Sequence, residues 1–476
     1  MVKKLVFTLV LIQLLLLVGA KSTYAQFVTE QGDSTHTLQI ASFPYSPELS
    51  PMIRTIEGNQ IHAMSSSNSF LCNISPMNFL TSNVLVPYSD CFLTTKALVN
   101  SSISSNGGIN YLPPDQLGND DWRFTYNGIT GLDTIDVNGQ KYLITIKHNE
   151  HQNLRAGEYL YQGRILTHVL AEDCASGYVN NVYQHCWESF SSFVSIGYAP
   201  INSAGEVNGA QFIDIGPIVW PPNGYIDENR NRRSSGFYHP TLFVDDDYIY
   251  AYYLNDNNLQ SGQRKCLSAS RVAISQFNDP EAWQNYYQGS FSTTSLPEGF
   301  DKDNMEQFYT VGGGNADCVS LPNSTSDAII FFNAAKISGT DLYIGTEESA
   351  VENQNWQVGV RVSRDLVNWS EMQVLATAPG PWGNGTLSYP TFIDNQGLNT
   401  NEVVDPSNFY LVGKSATNSE GYELNSTRLT LDTGELFMWD VTNLLSRYGQ
   451  QQYNDPNNDG VVNGMDLVEA INRLGD

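Results

Sequence analysis

The chain has 476 residues, of which 50 are acidic and 24 basic, giving a formal net charge of −26. A surface of that sign repels nucleic acid and anionic membranes, so neither is an expected partner; it suits a neutral ligand or a salty, calcium-containing medium, and plain solubility would account for it equally well. With 41% hydrophobic and 12% aromatic residues, the chain can bury a large core, and its length fits one large β architecture plus an appendage.

Residues 1–25 read as a signal peptide. Lys3 and Lys4 supply the positive start, residues 5–18 are almost wholly apolar, and Thr23-Tyr24-Ala25 places small residues at a cleavage site. The competing reading is a membrane anchor, against which the apolar run is shorter than the ~20 residues a span needs. The expected product is secreted and soluble. Its cysteines are Cys72, Cys91, Cys174, Cys186, Cys266 and Cys318. An even number in an exported chain points to disulfides. Local pairing favours Cys72 with Cys91 and Cys174 with Cys186, leaving Cys266 with Cys318, although spacing alone does not fix connectivity.

From residue 36 to 442 the sequence is a succession of short runs rich in Tyr, Phe, Val, Ile and Thr, punctuated by Asn, Gly, Asp and Ser. Amphipathic helical patterns are missing until the C-terminus, which excludes a doubly wound α/β fold. One hairpin recurs. Residues 50–54 lead through Glu57-Gly58-Asn59 to a strand at 61–66. Residues 133–137 lead through Asn138-Gly139 to 142–147. Residues 239–244 lead through the acidic turn 245–247 to the Tyr-rich strand 248–254. Residues 317–321 lead through 323–326 to 328–334, and residues 389–393 lead through a longer loop to 408–413. Further strands follow each hairpin, among them 271–274 and 282–289 in the third unit, and 358–363 and 365–369 in the fourth. Five such units around an axis make a five-bladed β-propeller, closed by a strand near 37–41 beside the last blade. The alternative is an array of β-sandwiches.

Residues 240–253 together with Ser363-Arg364-Asp365-Leu366-Val367-Asn368-Trp369 resemble the five-bladed propeller glycoside hydrolases, the family 43 and invertase-like enzymes. The resemblance spans roughly residues 45–435. It implies a carbohydrate substrate cleaved by carboxylate acid/base catalysis in the funnel. In family 43 an Asp-Pro pair opens the first blade; here the first blade has Ser50-Pro51 and the third has His239-Pro240, so that triad does not carry over.

Propeller geometry places at the funnel the residues that open the first strand of each blade and close the second: Ser50, Ser66, Asp133, His148, Glu150, His239, Asp256, Asp317, Lys336, Tyr389 and Lys414. The cluster Lys147-His148-Asn149-Glu150-His151 is the densest. A glycosidase needs one protonated and one ionised carboxyl, ~6.5–9.5 Å apart in an inverting pair. Glu150 is the expected acid, with Asp133 or Asp317 as base. His148, His239 and Tyr389 are expected to bind sugar, and Lys336 and Lys414 to meet an acidic one. The competing readings are a solvated loop for Glu150, hydrogen-bonded loop histidines, a metal ion held at the axis, and a non-catalytic propeller that binds glycan or protein. A sialidase is disfavoured, because the box at 363–369 lacks its Gly.

Residues 443–452 form a linker to a last motif at 453–476. Asp455, Asn457, Asp459, Asn463 and Asp466 stand at loop positions 1, 3, 5, 9 and 12, Val461 offers its carbonyl at position 7, and Gly460 permits the turn at position 6. The motif resembles a single dockerin repeat. A structural calcium ion and a docking or retention role are expected, without cohesin binding following from one repeat.

Overall fold

The computed structural model describes residues 28–41, 52–65, 69–80 except 79, 84–87, 91–95, 126–151, 158–161, 164–167, 191–220, 236–255, 266–301, 312–322, 328–351, 355–379, 387–418 except 402, and 421–436 except 433. The leader, Cys174, Cys186, Ser50, Ser66, Asp256, the linker and the whole 455–466 loop lie outside the described residues.

Among the described residues five sheets, one per blade, carry the fold; they are antiparallel except where Val84–Pro87 pairs parallel with Val28–Ala41 and Val403–Val404 with Ala328–Ile337. The first contains Met52–Ile56, Asn59–Ser65, Ser69–Ile74 and Cys91–Thr95. The second contains Tyr126–Val137, Gln140–His151, Ser191–Pro200 and Ile213–Val219, with a separate hairpin, Glu158–Tyr161 and Arg164–Thr167, arising between its second and third strands. The third contains Phe237–Val244, Tyr248–Asn255, Cys266–Ala273, Gln284–Tyr287 and Ser290–Thr294. The fourth contains Ala328–Ile337, Tyr343–Val351, Asn355–Ser363 and Gln373–Pro379, and the fifth Ser388–Ile393, Phe409–Asn418 and Gly421–Leu431. Val28–Ala41 completes the fifth blade by pairing antiparallel with its third strand, from Val28 opposite Leu431 to Gln39 opposite Gly421. The expected closure therefore occurs, with a longer strand than 37–41. Gln373 of the fourth blade also clamps its start, accepting from the Val28 N–H at 2.9 Å and donating to the Val28 carbonyl at 2.6 Å.

The sequence explains the hairpins directly. Glu57-Gly58, Asn138-Gly139 and Gln288-Gly289 all have φ between 49° and 84°, the pair of left-handed residues that a tight hairpin turn requires. Alternation then sends successive side chains to opposite faces of each radial sheet. Between the first and second blades these faces bury Ile61, Leu71, Leu132 and Leu143; between the second and third, Ile144, Ile146, Phe237 and Leu242. Tyr252, Leu254, Phe332 and Trp369 fill the next interface, Ile344, Val360, Phe392 and Leu411 the next, and Ile53, Cys72, Ile393 and Val412 the last, between the fifth blade and the first. A core at each of five interfaces is what closes the ring. Gly131 shows how tightly it closes: a Cβ there would lie 2.6 Å from Ile146 and Leu242.

Among the described residues two disulfides form, Cys72–Cys91 across adjacent strands of the first blade and Cys266–Cys318 from the third strand of the third blade. The second bond corrects one expectation. Residues 317–321 do not open the fourth blade; the disulfide and bridges from Cys318 to Ser268 and from Ser320 to Asn368 hold them at the outer strands. The fourth hairpin is Ala328–Ile337 with Tyr343–Val351 instead. Residues 365–369 are likewise a turn rather than a strand. The Asp365 carboxylate accepts from the Val367 and Asn368 N–H groups and the Asn368 amide, which bends the chain so that Trp369 packs on Phe332 at 4.9 Å.

Candidate active site on the propeller axis

In a ring of five blades, side chains of non-adjacent blades meet only at the axis. His239 of the third blade and Tyr389 of the fifth do so, with ring centroids 5.8 Å apart. From this contact a belt of rings extends in both directions. His239 meets His148 of the second blade at 5.1 Å, and His148 meets Tyr238 at 5.8 Å. Tyr389 meets Phe331 of the fourth blade at 5.4 Å. Four of the five blades therefore contribute to one cluster.

Backbone irregularities aim these side chains. The innermost strands of blades two to five each carry a register shift near their start: between Ile129 and Gly131, Tyr238 and Thr241, Ile329 and Phe331, and Ser388 and Thr391. An extra residue at such a bulge turns a side chain out of the alternating pattern. At two of them the bulged residue precedes proline and sits in the left-handed region, His239 at φ 43° and Tyr389 at φ 53°. That conformation costs on the order of 1–3 kcal/mol for a residue with a Cβ and must be held by its surroundings. The fourth blade holds both. Thr241 donates to the Phe332 carbonyl at 2.6 Å, Asn333 donates to the Pro390 carbonyl at 2.9 Å, and the Tyr389 N–H donates to the Glu348 carboxyl at 2.7 Å.

Glu348 is the carboxyl of this cluster among the described side chains. It is only 3% exposed, and burial raises its pKa from 4.5 to about 7, against the opposing pull of the Tyr389 N–H and the Ser388 side chain. It therefore keeps its proton in mildly acidic conditions, where an ordinary carboxyl is ionised. His148 is shifted the other way. Burial, and secondly any charge on His239, hold its pKa well below the usual imidazole value, so it stays neutral.

The residues expected from the sequence divide. His148, His239 and Tyr389 come together as the belt. Lys414 stands opposite Ser388, the neighbour of Tyr389. The Glu150 backbone lies two residues beyond His148, opposite Tyr126 and Ser192; its side chain is outside the described residues. Asp133 is placed elsewhere. It pairs with Ile144, four positions from His148 and so about 13 Å along the strand. Its carboxylate accepts from the Arg54 guanidinium at 3.1 Å in a buried ion pair between the first and second blades. Arg54 also donates to the carbonyls of Ile53 and Thr400. Asp317 is at the outer strands, accepting from the Gln288 N–H at 2.7 Å. Lys336 is at the turn end of the fourth blade, 3.1 Å from Asp246 and 3.5 Å from Asp245, whose carboxylate also accepts from the Tyr343 hydroxyl. These three do not meet the belt.

Sequence reasoning missed Glu348, Phe331 and Arg54. The signal for Glu348 was available: Glu347-Glu348 interrupts a run of strand residues, and a carboxyl in a strand interior needs a buried partner. Glu347 finds it in Arg361 at 2.6 Å, and Glu348 in the Tyr389 backbone. Among the described residues no group of histidines, cysteines and carboxylates has the arrangement of a metal site.

No family model and no curated protein matches the chain. Solved structures similar to it include the catalytic domain of a GH62 α-L-arabinofuranosidase from Coprinopsis cinerea, at 10% identity over 84% of this chain and 98% of that one, with a TM-score of 0.38. A family 117 glycoside hydrolase from the marine bacterium Zobellia galactanivorans is similar at 10% identity over 86% and 91%, with a TM-score of 0.36. An exo-1,5-α-L-arabinanase from a bovine ruminal metagenomic library is similar at 9% over 82% and 98%, with a TM-score of 0.35. At these values the similarity adds nothing to the propeller already read from the sheets.

Proposed function

We propose that this protein is a secreted glycoside hydrolase that cleaves a glycosidic bond of a polysaccharide or oligosaccharide at the propeller axis. The observation that carries the reading is Glu348, a buried carboxyl whose pKa burial raises to about 7 and which accepts from the backbone of an axial residue. A carboxyl of that kind has the property required of a general acid, which must deliver a proton to the departing glycosidic oxygen. The half-buried rings of Tyr238 and His239 offer faces and polar edges to a sugar, with the buried ring of Tyr389 packed on His239. Glu150, whose strand ends beside His148, is the second carboxylate in this reading, acting as base or nucleophile. The two disulfides support an oxidising, extracellular setting. Among the described residues no helix is long and apolar enough to cross a membrane. We further assign a structural calcium ion to Asp455, Asn457, Asp459, Val461, Asn463 and Asp466, with a docking or retention role for that segment.

The test is digestion of a glycan panel by wild type and Glu348→Gln, with product release followed by chromatography. Release by wild type and a loss of about 10²-fold or more in Glu348→Gln is expected for a general acid. Equal rates in both would remove Glu348 from the chemistry. A second reading, a propeller that binds glycan without cleaving it, is favoured by the aromatic character of the belt. Measurable binding with no release from any glycan would select it.

A further inference from the structure

We infer that the Cys72–Cys91 disulfide is a redox-sensitive lock on ring closure, so that the assembled axis belongs to the oxidised protein. Val28–Ala41, the strand that completes the fifth blade, is held on its far edge by a segment of the first: Val84–Pro87 pairs parallel with Leu38–Ala41. That segment lies between the two cysteines, which stand opposite each other on the third and fourth strands of the first blade, 19 positions apart in sequence. The chain between them leaves the first blade, crosses to the fifth and returns. The disulfide ties both ends of this strap to one point.

The strap is seated on both blades. Met77 and Leu80 pack against Ile53, Cys72 and Ile74 of the first blade and Ile393 and Val412 of the fifth. The buried Gln60 side chain accepts from the Met77 N–H at 3.1 Å, and donates to the Met77 carbonyl at 3.2 Å and to the Leu398 carbonyl of the fifth blade at 3.3 Å. Gly397 lets that fifth-blade loop approach, since a Cβ there would lie 2.5 Å from the Asn78 side chain. A disulfide stabilises mainly by restricting the chain it closes. Once the bond is cut, the strap and Cys91–Thr95 can peel away from the closing interface together. His239 of the third blade meets Tyr389 of the fifth only in a closed ring, so the axial cluster loosens with that interface.

The reductant is a dithiol. Its thiolate attacks the Sγ of half-buried Cys91, because Cys72 is wholly buried. The S–S bond breaks, and Cys72 departs as a thiolate that takes up a proton. The second thiol of the reductant then closes on the first and releases Cys91. Two cysteines are reduced by two electrons, and the dithiol is oxidised to its own disulfide. Cys266–Cys318 is the internal control, because it joins outer segments of the third blade, away from the closing interface.

Hydrogen exchange of the full chain, read by mass spectrometry under native conditions, tests the lock. The samples are oxidised wild type, wild type in dithiothreitol with its free thiols mapped, Cys72→Ala with Cys91→Ala, and Cys266→Ala with Cys318→Ala. Peptides covering residues 28–41 and 84–87 are expected to exchange about a hundredfold faster in the reduced protein and in the first variant, the factor that closing a loop of this size supplies. Residues 237–255 of the third blade are expected to keep their protection in both, and residues 28–41 to keep theirs in the second variant. If either variant fails to fold, reduced wild type decides alone. Unchanged exchange at 28–41 after Cys72–Cys91 is cut, an equal rise in every blade, or a Cys72–Cys91 bond that stays intact in dithiothreitol overturns the inference. None of these outcomes depends on what binds at the axis.

Discussion

Asp133 separates a structural from a catalytic role most cleanly. Its carboxylate and the Arg54 guanidinium are 3.1 Å apart, with side-chain exposures of 7% and 3%. Asp133→Ala would remove the carboxylate that the buried Arg54 guanidinium meets at 3.1 Å. Breaking one side of such a pair typically costs about 3–5 kcal/mol. Arg54 keeps its bonds to the Ile53 and Thr400 carbonyls, so the lower end, about 3 kcal/mol, is expected here. The pair joins the first blade to the second, and Arg54 also reaches the loop of the fifth, so the loss falls on ring closure. Replacing both partners, Arg54→Met with Asp133→Leu, removes the stranded charge and is expected to recover most of that loss. Denaturant midpoints of wild type, both single variants and the double variant supply the cycle. An Asp133→Ala protein as stable as wild type but unable to cleave glycan would refute the reasoning and return Asp133 to the chemistry.

Three further outcomes are expected. Glu348 is a carboxyl whose folded pKa is raised to about 7 from 4.5, so between those values the unfolded chain ionises it and the folded protein does not. Its contribution therefore makes stability fall as pH rises from about 4.5 to about 7, by at most about 3 kcal/mol, and stay level above; melting temperatures of wild type minus Glu348→Gln across pH 4–8 should show that slope, and a flat difference would contradict it. Gly131→Ala places a Cβ 2.6 Å from Ile146 and Leu242, and should cost about 1–3 kcal/mol by forcing the second and third blades apart, read as a lowered denaturant midpoint. Calcium titration of the full chain against one lacking residues 453–476 should lose one bound ion per chain; unchanged uptake would show that the 455–466 loop is not the site.

The hairpin and its relatives were legible because their turns are local. Asn138-Gly139 is a strong signal for a tight turn, Glu57-Gly58 adopts the same pair of left-handed conformations, and alternation assigns the faces. The fourth blade was misread because its inner hairpin, Ala328–Ile337 and Tyr343–Val351, turns through Gly339-Thr340 without an Asn-Gly or Asp-rich signal, while residues 317–321 look like a strand until Cys318 is tied to Cys266. That error hid Glu348, since its strand was never read as one that returns toward the axis. His239 and Tyr389 were legible because each precedes proline at a strand opening. What their proximity does was not, because contact between the third and fifth blades depends on ring closure and on two bulges of one residue each. Asp133 misled for a related reason: sequence shows a carboxylate on an inner strand, but not that Arg54 of the neighbouring blade is its partner.

The central claim is that the ring belt is where a glycan is bound for cleavage. A crystal structure of Glu348→Gln soaked with an oligosaccharide that wild type cleaves tests it most directly. The sugar is expected against Tyr238 and His239, with the intact glycosidic oxygen within hydrogen-bond reach of the substituted amide. A sugar seated at the turn end beside Lys336, or on the outer strands near Asp317, would contradict it.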